Sequence, residues 1–108
     1  MIEKFAHEKL DCYRLAVDFA RWAAWQTFPR HRSHLREQLV RAADSIVLNI
    51  AEGSGHPPGN QRRNHHRIAK GSAAECCSVL DLVVLPDSAE QQDRLRRIGA
   101  MLGRMSRR

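Results

Sequence analysis

What the sequence lacks narrows it first. No run approaches the roughly 18 apolar residues of a membrane-spanning helix, and Met1 to Leu10 has no basic start, apolar middle and small cleavage site. The expected setting is the cytoplasm, with no membrane partner. Cysteine is scarce: Cys12, Cys76 and Cys77 are odd in number and two are adjacent, which argues against a secreted disulfide framework and for reduced, buried thiols. No segment alternates with period two, so strands are not expected. Gly53, Gly55 and Gly59 follow a helical pattern, with no Gly-Lys-Ser/Thr, so they make no phosphate loop. The six histidines form no Glu-x-x-His or His-Glu-x-x-His pattern and the cysteines no Cys-x-x-Cys. Neither a metal site nor another cofactor is expected.

Charge is present, and its placement is uneven. Of the net +6, residues 29–70 carry eight basic and three acidic groups, while residues 1–28 carry four of each. A local positive field of this kind favours polyanions.

Breakers at Phe28-Pro29, at Gly53 to Gly59 and at Pro86 divide the chain into four helical segments, about 6–27, 33–53, 60–84 and 87–106. Ser33, Asn60 and Asp87 are the expected N-caps, with Asp87 and Glu90 forming a capping box, and Gly53 the expected stop of the second helix. Short connections make sequential helices antiparallel, so the expected fold is a single-domain, all-α, up-down-up-down four-helix bundle. Wound at about 100° per residue, the first helix has two apolar stripes. Leu10, Tyr13, Val17, Ala20, Ala24 and Phe28 form the expected core face. Leu15, Phe19 and Trp22, with Cys12, lie nearly opposite, and a second apolar face calls for a partner. Self-association is the economical choice; a different partner, or cover by loops, is the alternative.

In the second helix Leu35, Leu39, Ala42, Ile46 and Ile50 recur at core spacing. Beside them runs a polar stripe of Gln38, Arg41, Ser45, Asn49 and Glu52. The third helix presents Ile68, Ser72, Glu75, Val79 and Leu82 as its seam, which places a carboxylate among apolar residues. Buried and unpaired it would be strongly disfavoured, so an Arg41–Glu75 ion pair is predicted from the antiparallel register, which also sets Ser45 opposite Gly71 and Asn49 opposite Arg67. Gly71 is expected to allow a close helix approach. Glu52 stands in a last helical turn, where the dipole disfavours an anion, and should find Arg62, Arg63 or a specific hydrogen bond. Arg41, Ser45, Asn49, Glu52, Ser72 and Glu75 thus read as a structural polar network, not as catalytic groups.

The run Gln38 to Gly53, ending Asn-Ile-Ala-Glu-Gly, resembles the four-helix-bundle proteins first noticed in intervening sequences of bacterial 23S ribosomal RNA genes. Tyr13, Phe28-Pro29 and Ile68-Ala-Lys-Gly-Ser72 with Glu75 agree in order. The family includes the accessory variability proteins of retroelements. The resemblance implies a homopentameric ring without enzyme activity; the retroelement relatives bind nucleic acid and partner a reverse transcriptase. The family's recurring residues match Arg41, Ser45, Asn49, Glu52, Gly53, Gly71, Ser72 and Glu75. Val47 stands where the family often has proline, and Arg62, Arg63, His65 and His66 stand where it prefers apolar residues.

The leading expectation is a nonenzymatic, oligomeric protein that binds RNA or another nucleic acid with low specificity through Arg36, Arg62, Arg63, His65, His66, Arg67 and Lys70. Outward Arg96, Arg97, Arg104 and Arg107 of the last helix add to it. No Phe, Tyr or Trp interrupts residues 29–70, so base stacking is not expected. Histidine titrates near pH 6.5, so binding through His65 and His66 should strengthen as pH falls. The alternative is an oligomeric scaffold for another protein. An enzyme has least support.

Overall fold

The computed structural model describes residues 1–107, and among them the only regular structure is helical. A short 3-10 turn at Ala6–Lys9 precedes α1 (Asp11–Ala24), and another at Arg30–Arg32 leads into α2 (Ser33–Gly55); α3 (Asn60–Leu82) and α4 (Ser88–Ser106) follow. The helix α1 packs on α2 and α4, and α3 packs on the same two. No helix among the described residues is long and apolar enough to cross a membrane.

The connections have local causes. Pro57 disfavours a helical residue before it, and His56 is extended (φ −88°, ψ 151°), which ends α2 two residues beyond Gly53. Gly59 then adopts φ 150°, a backbone closed to side-chain-bearing residues, and α3 begins at the next position. The predicted caps do not form. Ser33 and Asn60 are the first residues of their helices, and Asp87, left-handed at φ 68°, makes no side-chain cap. Ser88 instead accepts the Leu85 amide at 2.8 Å and stabilises the turn into α4.

Helix α2 buries Leu35, Leu39, Ala42, Ile46 and Ile50 as its spacing predicts, and Leu95, Ile98 and Leu102 of α4 close the core from the far side. Two other helices are rotated from expectation. In α1 the buried positions are Cys12, Ala16, Phe19 and Ala23; of the expected core face Leu10, Tyr13, Val17 and Ala20 are only half-buried, Ala24 is exposed, and Phe28, beyond the helix, is buried as expected. The stripe assigned to a partner is therefore the core stripe. Phe19 is fully enclosed and cannot serve a subunit interface; Leu15 and Trp22 lean on the same core, the Trp22 ring 5.7 Å from that of Phe19. In α3 the core positions are His66, Ala69, Ala73, Cys76, Val79 and Leu80; Val79 is buried as its spacing predicts, while Ile68 and Leu82 turn out to solvent.

That rotation removes the reason for the Arg41–Glu75 pair. Both residues are exposed, and among the described residues no ion pair joins them. Nothing lies within 4 Å of a Cβ built on Gly71, so the predicted close approach is absent there. It occurs at Gly53, where a Cβ would fall 3.0 Å from the Cβ of His65 and 2.9 Å from Cδ2 of His66.

Candidate functional site

A chain of polar contacts runs along the α2–α3 junction. Ser72 Oγ donates to Ser45 Oγ at 2.9 Å, and Asn49 Nδ2 donates to the Ser45 carbonyl at 2.9 Å and to its hydroxyl at 3.1 Å. With its amide nitrogen so occupied, Asn49 offers Oδ1 to His65 Nδ1, 3.0 Å away. The ring of His65 stacks on that of His56, centroids 5.3 Å apart and planes 9° apart. Later positions on α2 thus meet earlier ones on α3. Ser45 faces Ser72 instead of Gly71, and Asn49 faces His65 instead of Arg67, small slips within the expected register. Of the predicted polar network, Ser45, Asn49 and Ser72 are joined, whereas Arg41 and Glu75 lie outside it.

Glu52 is exposed at the end of the same stripe, and one ligand atom each from Glu52, His56 and His65 lies within 4.8 Å of the others. Sequence reading missed His56 and the convergence. The available signal was Glu52 and His56 close together where α2 ends, followed by a Pro-Pro-Gly turn that folds the chain back toward His65. The arginines expected beside Glu52 have other work. Arg62 donates Nε to the His56 carbonyl at 2.9 Å and Nη2 to that of Ser54 at 3.5 Å, capping the exposed carbonyls of α2. Arg63 donates to Asn60 Oδ1.

The proposed basic set therefore divides. Arg36 caps α1, donating to the carbonyls of Gln26 at 3.0 Å and Ala24 at 3.1 Å, and Arg62 caps α2. His66 is 1% exposed and leaves the set altogether. Burial, then the nearby positive charge of Arg62 and His65, lowers its pKa, so the ring is held neutral. Neither of its nitrogens has a hydrogen-bond partner among the described residues. It borders a cavity of about 350 Å³ lined also by Leu10, Pro58, Arg62 and Met105.

Arg67 and Lys70 remain exposed on α3, and α4 supplies further cations beside them. A Cβ on Gly103 would lie 3.0 Å from Lys70 Nζ and 3.9 Å from Arg107 Nη1, so the two cations bracket one point on α4. Lys70 and Arg96 also line one groove between α3 and α4, with Ala73, Ala74, Cys77, Leu95 and Gly99. None of the ion pairs among the described residues includes Arg67, Lys70 or Arg107.

A second groove, of about 320 Å³, lies between α1 and α2 and is lined by Val17, Ala20, Ala24, Val47 and Leu48, with Arg21 and Asp44. Leu48 is 65% exposed there, and Trp25, next in sequence to Ala24, is 87% exposed.

Fold and site together define an all-α, four-helix protein with a polar seam between two helices and unpaired cations on the α3–α4 face. The sequence profile of the 23S rRNA-intervening sequence protein family matches residues 8–105. The chain belongs to that family. A comparison with curated proteins gives no match.

Proposed function

We propose that this chain is a nonenzymatic nucleic-acid-binding protein that engages RNA through the α3–α4 face. The observation that carries the proposal is the convergence of Lys70 and Arg107 on Gly103, beside exposed Arg67, without ion-pair partners among the described residues. Like charges brought together without an anion repel one another, and a phosphate between them removes that repulsion. The family's name links it to ribosomal RNA, which supports RNA as the polyanion. Binding of this kind follows the backbone and gives low sequence specificity.

The same reading takes the chain to be an up-down-up-down bundle that assembles as a homo-oligomer, with a pentameric ring the expected form. The α1–α2 groove and exposed Leu48 and Trp25 replace Phe19 as the candidate interface. A ring repeats the cationic face by symmetry and multiplies weak contacts.

Fluorescence anisotropy with a short labelled single-stranded RNA tests the binding face. Arg67→Glu with Lys70→Glu should weaken binding at least about tenfold, because each reversal turns a phosphate contact into a repulsion. Arg36→Gln should have little effect on affinity, since that guanidinium faces helix carbonyls. Retention of full affinity by the double variant would move the site elsewhere. Binding of an acidic protein but of no RNA would favour the scaffold reading.

A further inference from the structure

We propose that Glu52, His56 and His65 form a binding site for a divalent transition-metal ion of the Zn²⁺ or Ni²⁺ class, with Asn49 as the residue that positions His65. The inference is independent of RNA binding and goes beyond it.

Three observations converge. The first is proximity: one ligand atom from each of the three residues lies within 4.8 Å of the others. Bonds of about 2.1 Å to a tetrahedral ion hold neighbouring ligand atoms about 3.4 Å apart. Rotation of exposed Glu52 and half-buried His56 closes that difference and takes the His56 ring out of its stack on His65.

The second is the orientation of His65. Because Asn49 Nδ2 is committed to Ser45, its Oδ1 must accept, so His65 Nδ1 carries the proton and Nε2 keeps the free lone pair. A histidine whose other nitrogen donates to a carbonyl oxygen is the usual arrangement behind a metal-ligating imidazole. The close packing at Gly53 holds the His65 backbone in place.

The third is electrostatic. Glu52 lies in the last turn of α2, where the carbonyl ends of the helix already carry partial negative charge. Arg62 satisfies the Ser54 and His56 carbonyls, and no ion pair among the described residues includes Glu52. A cation held by the carboxylate offsets the repulsion between Glu52 and the helix end. Two imidazoles and one carboxylate select a borderline ion over Ca²⁺ or Mg²⁺, which prefer oxygen alone. Three protein ligands leave the remaining positions to water.

Isothermal titration of the untagged full chain, stripped with chelator, with ZnCl₂, NiCl₂ and CaCl₂ tests the site. One Zn²⁺ or Ni²⁺ per chain should bind saturably, Ca²⁺ should not, and His56→Gln and His65→Gln should each abolish the event. Exposed His31→Ala and His34→Ala should leave it intact. Asn49→Ala should weaken binding about 10- to 100-fold and Asn49→Asp, which keeps the acceptor, should restore it. His56→Gln sits at the helix end and remains informative if His65→Gln fails to fold. No saturable event, binding of Ca²⁺ as tight as Zn²⁺, or binding unchanged in His56→Gln would overturn the proposal.

Discussion

Gly53 backs directly onto His66: a methyl group at Gly53 would come within 2.9 Å of the imidazole Cδ2 and within 3.0 Å of the His65 Cβ, which is fixed to the α3 backbone. Gly53→Ala should therefore force α2 and α3 apart and cost about 1–3 kcal/mol, despite the better helix propensity of alanine. Gly55→Ala, with nothing within 4 Å, should be neutral or slightly stabilising. Denaturant unfolding of the two variants checks the difference.

The other side of that contact gives an opposite sign. His66 buries two ring nitrogens without partners among the described residues, and a polar group so placed carries a desolvation penalty. His66→Leu should raise stability by about 1 kcal/mol at neutral pH, measured by the same unfolding experiment. A variant less stable than the wild type would mean that the imidazole has a favourable partner.

Much of this arrangement was legible beforehand, and the failures have physical causes. In α2, Leu39, Ile46 and Ile50 leave one choice of face. In α1, large apolar residues lie on both stripes, so periodicity gives two phases and cannot rank them; Ala16 and Ala23 decide by packing, not by hydrophobicity. In α3 the middle of the buried face is Ala69, Ala73 and Cys76, small residues that let the helices approach, and Ile68 and Leu82 outweigh them in any hydrophobic stripe even though Val79 and Leu80 are buried. Glu75 followed the wrong phase inward. The basic patch was overcounted because charge on a residue does not reveal that Arg36 and Arg62 already face helix carbonyls. The site around Glu52 needed the fold, since His65 reaches it from another helix.

Burial pushes the Cys76 thiol up to about 12, with smaller contributions from the negative charge of Glu75 and Cys77, and burial also raises Cys12. Cys76 therefore stays protonated in the fold at pH values where the unfolded thiol, near 9.0, ionises. The folded state then holds more protons, so the stability is full below pH 9.0 and is lost as pH rises toward about 12. Unfolding curves should show the wild type losing stability faster than Cys76→Ala as pH rises from 9.0 toward about 12. Alkylation followed by mass spectrometry should label half-buried Cys77 before Cys12 or Cys76, both enclosed.

Assembly and folding should separate by residue. Phe19→Ala opens a cavity in the chain's own core and should cost about 3–5 kcal/mol. Leu48→Glu charges the exposed wall of the α1–α2 groove and should lower the molar mass seen by light scattering while leaving helicity unchanged. Trp22→Glu, against the core beside Phe19, should act on stability first. A Leu48→Glu variant with undiminished mass would contradict the α1–α2 groove as an interface.

If a phosphate backbone completes the cluster of Arg67, Lys70 and Arg107, RNA affinity must fall with salt. Three phosphate contacts per chain predict a log–log slope of about −2 for single-stranded RNA, at about 0.7 per contact. Replacing all three with glutamine should flatten the slope along with the loss of affinity. An affinity nearly constant from low to high salt, or a slope unchanged in the triple variant, would mean that these three side chains do not meet a phosphate backbone.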